Sequence, residues 1–94
     1  MIRDKVPVAE LLAGLAEECA ELAQAALKLR RVFDRTNPTP VPEEKAIEDL
    51  YEEIADVMLY LQQIDYSPEY IDRIIRKKQE RWEQRLAAKQ ERLT

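Results

Sequence analysis

Apolar residues recur at helical spacing along the first third of the chain. From Val8 onward they follow one another at steps of three, four or seven residues, as the residues on one face of an α-helix do. The stripe consists of Leu11, Leu15, Leu22, Ala26, Leu29 and Phe33. This pattern predicts an amphipathic helix over residues 8–33, preceded by a short lead-in that ends at Pro7, a residue tolerated in a first helical turn.

Three prolines within residues 38–42 interrupt this pattern. Proline lacks the backbone N–H that a helix requires, and its ring clashes with the preceding turn. Glu43 and Glu44 follow the last of these prolines, and the helix dipole favours acidic residues in a first turn. We therefore predict a second helix over residues 43–64, with an apolar face made of Ile47, Leu50, Ile54, Val57, Met58 and Leu61.

Ser67 and Pro68 mark the start of a third helix, because serine is a favoured N-cap and proline is favoured at the first helical position. The apolar stripe of this helix consists of Ile71, Ile75, Trp82 and Leu86. We predict the helix over residues 68–90. The charged remainder of the chain is expected to fray or to pack on another subunit.

These elements predict an all-α fold, an antiparallel bundle of three main helices in a single domain of 94 residues. Three helices of this length make a thin bundle with a small core. Leu59 falls opposite the apolar face of the second helix when positions are projected at about 100° per residue. A second apolar contact favours a bundle completed by homo-oligomerisation, as a dimer or tetramer, although a single exposed leucine is also ordinary.

The composition excludes several classes of function. With one glycine and no histidine, the chain cannot form a glycine-rich phosphate loop, a Ser-His-Asp triad or a histidine-bearing zinc or di-iron centre. A net charge of −4 argues against a duplex-DNA-binding protein. The single Cys19 cannot form an internal disulfide, and no apolar run approaches the ~20 residues that span a membrane. We expect a soluble cytoplasmic protein that binds neither nucleic acid nor membrane.

The charge is divided unevenly along the chain. Residues 1–65 carry 7 basic and 14 acidic side chains, whereas residues 66–94 carry 8 basic and 5 acidic ones. An acidic body beside a basic C-terminal segment suits a metal and phosphates bound where the two meet. Salt-bridged, solvated helices would show the same asymmetry.

Two pairs of acidic residues stand at a spacing of three on the first two helices, Glu18 with Glu21 and Glu53 with Asp56. Residues three apart are neighbours on a helix surface, so each pair can present two carboxylates together. Projection places Glu18 and Glu53 at the margins of the apolar faces, where a half-buried carboxylate requires a partner. Gly14 and Ala25 lie on the same side as Glu18 and Glu21 and leave room for a ligand.

Four carboxylates facing one another would form a site for Mg²⁺, or for Mn²⁺, since these cations prefer oxygen ligands and Mg²⁺ often also binds substrate phosphates. Merely solvated acids on acidic helices are the competing interpretation. Glu17 projects nearly opposite the apolar stripe and is the uncertain member of the group.

The third helix carries positive charge beside its only tryptophan. Lys78 and Arg85 project onto the apolar stripe near Trp82, and Arg81 is adjacent. These side chains are candidates for binding substrate phosphates, although basic side chains also lay their apolar stems along such a stripe. Trp82 would serve either as a packing anchor or as a platform on which a base stacks.

Glu-Glu-x-x-Glu on one helix, followed on the next by Glu-x-x-Asp, resembles the signature of the MazG-like all-α nucleotide pyrophosphohydrolases, over residues 8–64. The opening residues 3–7 also resemble the start of members related to phosphoribosyl-ATP pyrophosphohydrolase. Lys-x-x-x-Trp-x-x-Arg on the third helix loosely resembles the basic segment of the family's last helix.

The resemblance implies a Mg²⁺-dependent enzyme that cleaves a nucleoside triphosphate between its α and β phosphates, and that works as a dimer or tetramer. It implies that the two acid pairs bind the metal, that Glu53 also takes part in catalysis, and that Glu17 supports the site or positions or activates water. Two other hypotheses remain: a non-catalytic helical oligomerisation module, and a nucleotide or metal sensor that uses the same site.

Overall fold

A computed structural model describes residues 1–93, and within that range all regular secondary structure is helical. A short 3₁₀ helix, Ile2–Asp4, precedes three long helices: α1 (Val8–Phe33), α2 (Glu43–Gln63) and α3 (Pro68–Leu93). The predicted all-α class and the three main helices are confirmed. No helix in the described range is long and apolar enough to cross a membrane.

α1 ends several residues before the proline-containing segment begins. Arg35 has a left-handed backbone with φ of 62°, and the N–H of Thr36 donates to the carbonyl of Arg31 at 2.9 Å. This is the hydrogen bond of a Schellman motif, which satisfies a carbonyl left free at a helix end. The carboxylate of Asp34 also accepts from the Thr36 N–H at 3.1 Å. The predicted boundary at Phe33 is confirmed, but local hydrogen bonds produce it.

The other helix boundaries differ slightly from the prediction. α2 ends at Gln63, one position early, because Ile64 adopts an extended backbone. At the start of α3 the Ser67 hydroxyl accepts a hydrogen bond from the Tyr70 N–H at 3.2 Å, as an N-cap does. α3 continues past the predicted end to Leu93, because its last turns contain alanine, lysine, glutamine and arginine, which favour helices.

The chain divides into two compact units, Met1–Ile64 and Asp65–Thr94. In the first unit α1 and α2 pack as an antiparallel hairpin: Gly14 near the start of α1 faces Tyr60 near the end of α2, and Leu29 near the end of α1 shares a groove with Leu50. The expectation of one domain of 94 residues stays a prediction.

The core of the hairpin is small. Among residues 1–93 the buried apolar side chains are Leu11, Leu29 and Ala46. The middle of the α1 stripe, Leu15 and Leu22, is half-buried. Each helix has one neighbour within this unit, so packing covers only part of an apolar stripe that spans at least 100° of the helix surface.

One side of the hairpin is apolar and open. Its large exposed side chains, which we call the apolar face, are Val8, Leu12, Phe33, Tyr51 and Met58. Projected about the helix axes, they lie on the opposite side of the hairpin from Glu21 and Asp56. The second unit consists of α3 and the residues around it, and of its described side chains only Ile74 is even half-buried.

Candidate metal centre

The hairpin brings two acid pairs together. Glu18 and Glu21 on α1 and Glu53 and Asp56 on α2 each contribute one carboxylate oxygen, and these four atoms all lie within 4.8 Å of one another. Because the helices are antiparallel, the pair on one helix faces the pair on the other at the same level of the hairpin. We call this group the four-acid cluster. The structure thus brings the four predicted residues together, and their role as metal ligands stays a prediction.

The cluster has a half-buried inner part and an exposed outer part. Glu18 and Glu53 are half-buried, whereas Glu21 and Asp56 are exposed. The Oε2 atoms of Glu18 and Glu53 are shielded from solvent and have no hydrogen-bond partner among the described residues. A buried oxygen without a hydrogen-bond partner among the described residues carries a desolvation cost.

The shared environment raises the pKa of both inner glutamates. Burial raises the pKa of Glu18, and the nearby carboxylates of Glu21, Asp56 and Glu53 raise it further. Burial also raises the pKa of Glu53, followed by the charges of Glu21 and Asp56. Both the lack of solvent and the like charges disfavour the ionised form. The cluster therefore holds more negative charge than its own surroundings stabilise.

The ion pairs of the hairpin lie elsewhere. Lys45 pairs with Asp49 at 2.6 Å, and Arg30 approaches Asp34 at 4.0 Å near the end of α1. The ion pairs found among residues 1–93 include no member of the four-acid cluster. Asp49, which flanks Glu53 on the same strip of α2, is thus already neutralised.

The donor set fits a hard divalent cation. Four carboxylates whose oxygens lie this close supply the ligands that Mg²⁺ and Mn²⁺ prefer, and the exposed pair leaves one side open to water or to a phosphate. Acidic side chains often cluster on helix surfaces without an ion. The two buried, unpartnered oxygens distinguish this cluster from a solvated group.

The expectation of free space beside Gly14 was wrong. A methyl group placed at Gly14 would run into the side chain of Tyr60, because the phenol ring occupies the space that the missing side chain leaves. Glycine at this position therefore serves helix packing and fixes Tyr60 one turn from Asp56.

The remaining predicted site residues lie outside the cluster. Glu17 is exposed and is not among the four acids. On α3 the side chains of Lys78, Arg81, Trp82 and Arg85 line one shallow groove and are exposed. The roles of these residues in catalysis and substrate binding stay predictions.

A cavity at the N-terminal end of the hairpin was not predicted from the sequence pattern. The cavity measures about 240 Å³, and we call it the N-terminal cavity. It is lined by Ile2, Val6, Glu10, Leu11, Leu59, Tyr60 and Gln63. The lead-in contributes Ile2 and Val6, and only their apolar character within a polar segment hints at packing. Leu59, predicted as a subunit contact, lines this cavity and is 45% exposed; its contact with another subunit stays a prediction.

No family model, curated protein or solved structure matches this chain.

Proposed function

We propose that this protein is a Mg²⁺-dependent nucleoside triphosphate pyrophosphohydrolase of the MazG-like type. It would cleave an NTP or dNTP between the α and β phosphates and release the monophosphate and pyrophosphate. The observation that supports this proposal is the four-acid cluster with its two buried, unpartnered oxygens. The resemblance of the two acid motifs to that family supplies the reaction.

In this proposal all four acids are metal ligands, and Glu53 also takes part in catalysis. Glu18, Glu21, Glu53 and Asp56 would hold the metal, which when bound would supply charge neutralisation for the phosphates and a template for the attacking water. Water adds to one phosphorus of the α–β bridge, and the bridging oxygen leaves on the other phosphate with the bonding electron pair. The proton of the water passes to a carboxylate of the cluster, and Glu53 is the proposed acceptor.

Residues outside the cluster are further candidates for substrate binding and catalysis in this proposal. Glu17, the leading acid of the first motif, supports the cluster or positions the water. Lys78, Arg81 and Arg85 supply positive charge to the phosphates, since charge-assisted hydrogen bonds to phosphate are strong. Trp82 lines the same groove and contacts the substrate. The enzyme works as a homodimer or homotetramer.

The test is pyrophosphate release from a panel of NTPs and dNTPs, with and without Mg²⁺. Glu53→Gln keeps the shape of the side chain and removes its charge, so we expect turnover to fall at least ~100-fold while the helical circular dichroism is unchanged. Glu48→Gln, an exposed neutralisation elsewhere on α2, is the matched control and should keep full activity. No release from any nucleotide would contradict the proposal.

Melting with metal gives a readout that needs no turnover. At neutral pH, Mg²⁺ should raise the melting temperature, because an ion bound only by the folded state stabilises it. The stabilisation would approach about 2.7 kcal/mol at one hundred times the dissociation constant. Glu18→Gln with Glu53→Gln should abolish the effect. An unchanged melting temperature would remove the metal from the proposal.

A second candidate function is a non-catalytic oligomerisation module, and the open apolar face of the hairpin favours it. A sensor that binds nucleotide or metal without turnover shares the site of the first proposal. Self-association without pyrophosphate release or a Mg²⁺ effect on melting would identify the module. Metal-dependent nucleotide binding without release would identify the sensor.

A further inference from the structure

The N-terminal cavity has the dimensions and lining of a small binding site. Its 240 Å³ lies just below the range of drug-sized pockets, and it therefore suits a single ring system. Apolar side chains form most of the wall, and Glu10, Tyr60 and Gln63 supply the polar groups. All the lining residues belong to the first unit.

The cavity lies along the same groove as the four-acid cluster. On α2 the cluster residue Asp56 is followed by Tyr60 and then Gln63, at steps of four and three. On α1 the cluster residue Glu18 is preceded by Gly14, four residues earlier. Leu11, which lines the cavity, lies three residues before Gly14. At 1.5 Å per residue the cavity begins about 6 Å from the cluster and extends to about 10 Å. A ribose and one phosphate bridge such a distance in a nucleotide.

Among the polar side chains of the cavity, Glu10 favours a ligand that donates hydrogen bonds. The carboxylate of Glu10 can only accept them. One N–H of the Gln63 amide already donates to the carbonyl of Leu59 at 3.1 Å, so Gln63 keeps one donor beside its carbonyl acceptor, and the Tyr60 hydroxyl can donate or accept. The exocyclic amino group of cytosine meets this requirement. Uracil places a carbonyl at the same position, and a carboxylate repels that oxygen.

We propose that the N-terminal cavity binds the base of the substrate and that Glu10 selects cytosine over uracil. The assignment of this base to a triphosphate substrate rests on the proposed function. The binding of the base itself does not require turnover. Tyr60, held by Gly14 between the cavity and the cluster, packs against the sugar.

The first experiment measures binding of cytidine and uridine 5′-monophosphates to the full chain in the presence of Mg²⁺ by titration calorimetry. Wild type should bind the cytidine nucleotide roughly 10-fold more tightly, as a hydrogen bond to a charged group predicts. Glu10→Gln keeps the shape but removes the charge and adds a donor, so the preference should disappear. Glu48→Gln should leave it unchanged.

The second experiment measures CTP and UTP hydrolysis. In Glu10→Gln the KM for CTP should rise roughly 10-fold while kcat stays within about twofold, because the residue binds the base and does not touch the reacting phosphates. Leu59→Glu should raise the KM for both nucleotides by filling the cavity with charge; the side chain is 45% exposed, so the fold tolerates it.

The two proposals fail in different ways. Turnover with no base preference, or with an unchanged KM in both variants, would overturn the cavity assignment and leave the reaction standing. A Glu10-dependent preference for the cytidine nucleotide, without pyrophosphate release from any triphosphate, would overturn the reaction and support the cavity.

Discussion

Glu18 and Glu53 each combine a charge with a buried oxygen that no partner satisfies. Both glutamates have a pKa above the ordinary value of 4.5 because of burial and neighbouring carboxylates. A carboxyl group with a raised folded-state pKa keeps its proton to higher pH in the native protein than in the unfolded chain. Its contribution to stability is therefore complete below the unfolded pKa and is lost as the pH rises through the folded pKa.

The first prediction concerns this pH dependence in the metal-free protein. The free energy of unfolding, measured with urea and a metal chelator, should fall as the pH rises from the ordinary glutamate pKa of 4.5 through the raised folded-state pKa values of the two glutamates. Asp34, with a lowered pKa, and Lys45, with a raised one, change protonation outside this window. Glu18→Gln with Glu53→Gln should flatten the profile, while Glu48→Gln should not. A flat wild-type profile would contradict the prediction.

Residue-level patterns predicted the four-acid cluster and missed the packing around it. The spacing of the acids fixes which carboxylates share a helix face, and the apolar stripes fix which faces meet, so Glu18 and Glu53 could be placed at the margin. The ring of Tyr60 fills the space at Gly14 only because two helices from distant parts of the chain approach there. A single-helix projection contains no such information.

At the scale of secondary-structure elements, local sequence features determine where the helices form, whereas contacts between distant parts of the chain determine how they pack. The three helices were predicted from periodicity, prolines and a serine cap, which are local features. The end of α1 depends on Arg35 in a left-handed conformation, which its side chain does not favour. The N-terminal cavity required the lead-in to fold back beside the end of α2, and no periodicity describes that contact.

The second prediction follows from the close approach of α1 and α2. Gly14→Ala should lower the free energy of unfolding by about 1 kcal/mol, because the added methyl displaces the Tyr60 ring. In a Tyr60→Ala background the same change should raise it by about 1 kcal/mol, since alanine favours a helix over glycine. A double-mutant cycle in urea should therefore give a coupling of about 2 kcal/mol. Additive effects would show that the ring moves aside without cost.

The third prediction concerns the end of α1. Arg35→Gly should raise the free energy of unfolding by about 0.5–1 kcal/mol, because glycine adopts a positive φ without the penalty of a side chain. Arg31→Gly, within the last turn of the same helix, should lower it by roughly 0.5–1 kcal/mol. Thermal or urea unfolding of the two variants measures the contrast, and equal destabilisation by both would contradict the Schellman assignment.

At the scale of the whole molecule, burial and charge are unevenly distributed. The hairpin buries Leu11, Leu29 and Ala46 in a chain of 94 residues, while Phe33 and Met58 on its apolar face are 59% and 54% exposed. A core this small supplies little stability in a domain of this length. Covering the apolar face with a second copy would bury apolar surface and leave the four-acid cluster, on the other side, open to substrate.

The fourth prediction is therefore that the 11.0 kDa chain self-associates through the apolar face. Sedimentation equilibrium should give at least twice the mass of the chain. Met58→Glu should shift the protein toward the monomer, because an ionised carboxylate in an apolar interface is costly. Gln24→Glu adds the same charge on the side of the hairpin that carries Glu21, and should leave the association unchanged. A monomeric wild type would contradict the prediction, and equal dissociation by both variants would show that charge repulsion acts without an apolar interface.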